Sequence, residues 1–263
     1  MKIHALTTGT VALKDAFLHA RSGWRRQPAL FLPGQWSESL PIHCWAIEHL
    51  DRLWLVDTGE TSAVRNIPFA RFDIPAAQEL PGALEAAGLS VSDVDTVVIT
   101  HMHGDHIDGA IHVARPALVH EPDLAFTRTA AARFQQRLLR QPIPPGVQFE
   151  PFTLDASPFG AFTTSRRLSD DGRIVAVPTP GHTVGHVSVI CVDDQGRHVM
   201  LAGDATDTVE QLHARRAGAV DPKPAASVQT METILAHGAG HSTVYLPSHD
   251  PDSTARLRDS VTL

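Results

Sequence analysis

Cysteine, tyrosine and lysine are scarce in this chain. Only Cys44 and Cys191 occur in 263 residues, too few and too far apart for a disulfide framework. Neither has metal-ligand spacing, so both read as small buried hydrophobes. There are three lysines, Lys2, Lys14 and Lys223, and the formal net charge is -7. That balance argues against a nucleic-acid partner, which favours a clustered basic face. The one tight basic cluster, Arg21, Arg25 and Arg26, reads as a solvated loop. No apolar run approaches the roughly 18 residues of a spanning helix. The segment from Met1 to Thr10 has no signal-peptide apolar core. A cytoplasmic protein with no membrane partner is expected. Gly-x-Ser-x-Gly elbows and phosphate-binding loops are also missing, and the run from Gly238 to Thr243 lacks the third glycine of a dinucleotide fingerprint.

What remains is enough for a core. With 43% hydrophobic residues, positions 1–263 are expected to form one domain. His43 to Leu50 and Arg52 to Asp57 read as an antiparallel strand pair. Glu79 to Ala87 has a helical pattern ending at Gly88 as C-cap. Asp95 to Thr100 and Ala117 to His120 read as strands, and Pro122 to Arg140 as one amphipathic helix before the breaker Pro142 to Gly146. Gly172 to Pro178, Val187 to Val192, His198 to Ala202 and Thr243 to Leu246 are further strands, and Pro224 to His237 is another helix. Gln141 to Phe162 reads as an excursion over the surface. Runs of strands with helices interposed in both halves predict two packed sheets with helices outside.

Sixteen histidines are the compositional anomaly. Three fall in His101-Met102-His103-Gly104-Asp105-His106, directly after the apolar run Val97 to Thr100. A loop that follows a buried strand is where catalytic groups usually sit. Three more strand ends carry ligand types: Pro180-Gly181-His182, Ala202-Gly203-Asp204 and Pro247-Ser248-His249. His101, His103 and His182 would serve one metal, and Asp105, His106 and His249 a second. Asp204 has two oxygens and suits a bridge. Structural zinc sites are closed and usually cysteine-rich, so this donor set points to a catalytic centre. Zinc comes first, and iron, cobalt and manganese suit the same ligands.

His101-x-His103-x-Asp105-His106, with His182, Asp204 and His249 in that order, resembles the metallo-β-lactamase superfamily. Asp57-Thr58-Gly59 and Gly181 to His186 resemble two further motifs of that family. The resemblance implies an α/β (α+β) fold, the αββα sandwich of two mixed β-sheets flanked by helices, with two divalent metal ions at one edge of the sheets. Asp57 would orient ligands through hydrogen bonds or simply stabilise its turn. His186 would support or pack rather than ligate.

A finer resemblance, carried by Gly203 to Glu210 and Ser248-His249-Asp250, is to the N-acyl homoserine lactone lactonases. It implies opening of a small lactone or ester by water activated at the metals, and a homodimer. Those enzymes usually carry a tyrosine three residues after the bridging aspartate, and here that residue is Asp207. An ionised carboxylate there would repel an oxyanion. Tyr245 is the one tyrosine of the chain; it either packs in the core or reaches the site. The catalytic candidates are therefore Asp105, Asp204, Asp207 and Tyr245. The expected pocket walls are the 141–162 excursion with Phe149, Phe152, Phe159 and Phe162, the 122–140 helix, and Trp24 to Trp36, ordinary loop packing being the alternative for the phenylalanines. The rival enzyme is a glyoxalase II-like thioesterase, a family that adds a C-terminal helical domain for which little sequence follows Asp250. A non-catalytic metal-binding sensor is the rival of another class, and the complete ligand set argues against it.

Overall fold

The computed structural model describes residues 1–18 and 27–263, so Arg21, Arg25, Arg26 and Trp24 lie outside the described residues. The first half contains β1 (Lys2–Leu13), α1 (Asp15–Leu18), β2 (Leu40–His49), β3 (Arg52–Val56), β4 (Ala70–Asp73), α2 (Leu80–Ala86) and β5 (Val94–Ile99). It continues through α3 (Gly104–Ile107), β6 (Ala117–His120), α4 (Glu121–Thr127), α5 (Ala130–Leu139) and β7 (Phe149–Phe152). The second half contains β8 (Arg166–Arg167), β9 (Ile174–Pro178), β10 (Val187–Val192), β11 (His198–Gly203), α6 (Val209–Ala214), α7 (Pro224–Gly240), β12 (Thr243–Pro247) and α8 (Ser253–Asp259).

The strands form two mixed sheets, in the orders β4-β1-β2-β3-β5-β6-β7 and β12-β11-β10-β9-β8. Side chains on a strand alternate between faces, and here both faces are covered. Trp45, Trp54, Val56 and Val98 meet Ile174, Val189, Leu201 and Leu246 between the sheets. Cys44, Leu55, Val97 and Ile99 face the other way, onto Leu80 and Leu84 of α2. Val175, Ile190, Met200 and Tyr245 lie under Leu212 of α6 and Met231 and Ile234 of α7. The layering is αββα, as the resemblance implies. Both cysteines are free and buried.

Three expectations need correction. The 122–140 helix is two helices: Thr129 adopts an extended conformation and its Oγ1 accepts the Ala132 N–H, so a new helix starts there. Residues 141–162 are only partly an excursion, because Phe149–Phe152 pairs parallel with β6 as an edge strand. Strand β1 was not expected at all. It is threonine-rich and bulged between Thr7 and Thr10, where Gly9 has φ +117° and an added Cβ would lie 2.8 Å from the Asp73 carbonyl oxygen.

The β2–β3 hairpin turns at Leu50 and Asp51, with φ of 50° and 54°. A two-residue turn with both residues left-handed favours Asn-Gly, and Leu there is strained. Replacing Leu50-Asp51 by Asn-Gly is expected to stabilise the fold by about 1 kcal/mol, read as a higher denaturant midpoint at unchanged slope.

His198 at the start of β11 and His237 on α7 are buried, with His198 Nδ1 2.8 Å from His237 Nε2. Burial, followed by the charges of His198 and His241, lowers the His237 pKa to about 4. The unfolded chain takes up this proton near 6.5, the folded one near 4, so stability is full above about pH 6.5 and falls as pH drops through that window. Denaturant midpoints at about pH 7.5 and about pH 5 are expected to differ less in His237→Gln than in the parent chain.

Candidate metal centre

The sheets deliver their ligands to one edge. His101 follows β5, His182 follows β9, Asp204 follows β11 and His249 follows β12. α3 carries Asp105 and His106 on its single turn, and His103 is its N-cap. His101 Nε2 lies 3.0 Å from His103 Nδ1, which lies 2.9 Å from His182 Nε2. Three ring nitrogens are thus turned toward one point. On the other side, His249 Nε2 is 3.4 Å from Asp105 Oδ2 and 3.5 Å from Asp204 Oδ2. Asp204 joins the halves: Oδ1 is 3.3 Å from His106 Nε2, and Oδ2 is 3.4 Å from His182 Nε2. All seven expected ligands therefore converge.

Hydrogen bonds fix which nitrogen of His101, His106 and His249 faces inward. Thr100 Oγ1 donates to Asp57 Oδ2, so it accepts from His101 Nδ1–H and leaves Nε2 with a lone pair. His106 Nδ1–H donates to Asp57 Oδ2, and His249 Nδ1–H donates to the Pro41 carbonyl. Asp57 has φ +61° and its Oδ1 also accepts the Thr100 N–H. It orients His106 directly and His101 through Thr100. Both ring nitrogens of His186 are engaged within the protein, as expected for a supporting residue: Nε2 accepts the Asp204 N–H, and Nδ1–H meets Thr179 Oγ1.

The electrostatics divide the site. Burial, reinforced by neighbouring imidazoles, holds His101 well below its usual pKa and His182 at about 3, so both rings are neutral donors. Burial also opposes charge on His106 and His249, but Asp204 above all outweighs it and raises both well above the usual value. Burial alone would raise Asp105, yet His106 and His249 hold it at about 2. His106 Nε2 and Asp204 Oδ1 are buried and neither makes a hydrogen bond. Converging lone pairs, an acidic field and unsatisfied inward atoms suit a divalent cation.

Asp123 escaped the sequence reading. It is buried, accepts the Met102 N–H at Oδ2 and the Gly185 N–H at Oδ1, and so ties the His101–His106 loop to the His182 loop. Nothing in its neighbourhood along the chain distinguishes it from a solvated aspartate in a first helical turn.

An apolar cavity of about 360 Å³ opens onto His103, Asp105, His182, Asp204 and His249. Its walls include Leu13, Phe17, Leu30, Phe69 and Leu139. The segments 27–36 and 122–140 contribute as expected, through Leu30, Phe31, Phe126 and Leu138. Phe149, Phe152, Phe159 and Phe162 do not line it. Phe149 packs against the core of the first sheet, and Phe162 is buried under α7. Tyr245 does not line it either, being 1% exposed with its hydroxyl 3.0 Å from Thr206 Oγ1. Asp207 is also absent from the walls. It is buried, and burial followed by Asp204 raises its pKa to about 7.

A model of the Metallo-beta-lactamase superfamily matches residues 39–249. The "Probable metallo-hydrolase Rv2300c" of Mycobacterium tuberculosis is 31% identical over 192 residues, covering 64% of this chain and 57% of that protein. This chain therefore spans less than two thirds of that relative. The "N-acyl homoserine lactonase AttM" of Agrobacterium fabrum is 22% identical over 236 residues, covering 83% of this chain and 85% of that one. A solved N-acyl homoserine lactone hydrolase with N-hexanoyl-L-homoserine at its catalytic metal centre superposes with a TM-score of 0.72 at 16% identity, covering 100% of this chain and 96% of that one. The matched span and the αββα layering agree, and the chain belongs to the metallo-beta-lactamase superfamily.

Proposed function

We propose that this chain is a metal-dependent hydrolase that binds two divalent ions, zinc first, and opens a small lactone bearing an apolar tail. One observation carries the reading: the converged His/Asp cluster forms the polar end of a cavity whose other walls are mainly apolar. His101, His103 and His182 would hold one ion, Asp105, His106 and His249 the other, with Asp204 between them. Metal bound there supplies a water of lowered pKa and a Lewis acid for the ester carbonyl.

The chain's own residues do the rest. Thr100, Asp57 and the Pro41 carbonyl accept the Nδ1–H of His101, His106 and His249 and so turn Nε2 of each ring toward the metal side. His186 fixes the backbone of Asp204 and hence its two oxygens. Leu13, Phe17, Leu30 and Phe69 line the cavity that would take the tail and shield the ester from bulk water. Asp207 and Tyr245 lie off the walls, so neither is given a contact with substrate. The relatives named as lactonases support this substrate class.

The test is a hydrolysis panel on protein whose metal content has been measured. It compares short- and long-chain homoserine lactones, an aryl ester, a thioester and a phosphodiester. The expected result is a lactone with an alkyl tail ranking first by kcat/KM, by about tenfold over its tail-less parent. A thioester or phosphodiester ranking first sinks the lactone reading, and turnover in fully metal-free protein sinks the mechanism.

A further inference from the structure

The outward face of α5 is unusually apolar for an exposed helix face. Ala132 and Leu139 turn toward the body of the protein, yet Phe134 and Leu138, one turn apart on the opposite side, are 68% and 63% exposed. A surface helix ordinarily shows polar residues there. Arg133, Arg137 and Arg140 flank this apolar pair and are exposed, as is Arg128 just before the helix. Between Asp123 and Glu150 the chain has four arginines and no acidic residue, although its net charge is -7. Across the cavity mouth, Phe31 and Leu32 are 56% and 58% exposed, and Phe126 and Val184 complete the rim.

We propose that this rim docks on an anionic lipid surface, with Phe134, Leu138, Phe31 and Leu32 entering the headgroup boundary and the arginines of α5 meeting lipid phosphates. Apolar side chains flanked by arginine are the composition of a helix that lies on a membrane rather than crossing one, and no described helix is long and apolar enough to cross. Charge decides the occupant. Two copies facing each other through this rim would set arginine against arginine, whereas an anionic bilayer complements it. The cavity opens between the docking elements, so an amphiphile dissolved in the lipid would reach the metal centre head-first, its tail trailing along the apolar walls, without crossing water. The docking itself does not depend on which bond is cleaved.

The test is co-sedimentation of the full chain with phosphatidylcholine vesicles, with or without about 30 mol % phosphatidylglycerol. Binding is expected only with the anionic lipid, and it is expected to collapse in about 0.5 M salt. Arg133→Gln with Arg137→Gln is expected to weaken partitioning by about fivefold per arginine, and Phe134→Ser by about tenfold. None of these residues lines the cavity, so turnover of a water-soluble ester is expected to be unchanged. Absence of binding to anionic vesicles, equal binding to neutral ones, or binding indifferent to the three substitutions overturns the proposal. So does concentration-dependent self-association abolished by Phe134→Ser, which would give the face to a second copy.

Discussion

Replacing His103 by Ala is expected to strip bound metal and to lower kcat/KM by at least about 10³-fold. The imidazole is the hub of the three-nitrogen side of the site, with Nδ1 3.0 Å from His101 Nε2 and 2.9 Å from His182 Nε2. Without it, two imidazoles and one oxygen of Asp204 remain on that side. Changing a residue that merely orients a ligand costs about 10–100-fold in metal affinity, so loss of a ligand costs more. The fold is expected to survive, because His103 caps a one-turn helix and is only partly buried. Elemental analysis after desalting and a turnover assay read the two effects, and far-ultraviolet circular dichroism confirms folding. Full activity in a metal-free variant would end the proposed mechanism.

The ligands were legible in the sequence because each follows an apolar strand. Val97 to Thr100, Ile174 to Pro178, His198 to Gly203 and Thr243 to Pro247 are short, mostly apolar runs bounded by turn residues, the pattern of a buried strand, and the residue types after them are few. What a strand pattern conveys is where a chain leaves the core. It says nothing of which other chain segment waits there. Asp57 was legible as a turn residue, but its bonds to His106 and Thr100 cross 49 and 43 positions. Strand β1 was hidden because Thr7, Thr8 and Gly9 interrupt the alternation at the bulge. The phenylalanines of 149–162 carried a correct apolar signal with the wrong destination. They are drawn to the sheet edge and to α7 because those core surfaces lie open to them, while Phe17, Phe69 and Leu139 take the cavity. Composition did not separate these two uses of phenylalanine, since both bury an aromatic ring.

Replacing Asp123 by Ala is the second change expected to have a large effect, on stability before activity. The carboxylate lies in the first turn of α4, 2% exposed, and each of its oxygens accepts one buried N–H, Met102 at 2.8 Å and Gly185 at 3.0 Å. These amides belong to the loops that carry His103 and His182, on opposite sheets of the sandwich. Alanine leaves both N–H groups unpaired, at about 1–3 kcal/mol each, so a loss of about 3 kcal/mol is expected. Gly185 packs closely on this turn, an added Cβ lying 2.3 Å from the Asp123 N, so the two loops meet at Asp123 with no side chain of Gly185 between them. Asp123→Asn keeps one acceptor but sets an NH₂ against the second N–H, so it is expected to fall between Ala and the parent. Denaturant midpoints with metal chelated read the stability term. Metal affinity, measured separately, is expected to fall about tenfold, because His103 and His182 would no longer be held at one separation. A destabilised Ala variant that kept full metal affinity would make Asp123 a staple of the two sheets and nothing more. An unchanged midpoint would refute the pairing on which both effects rest.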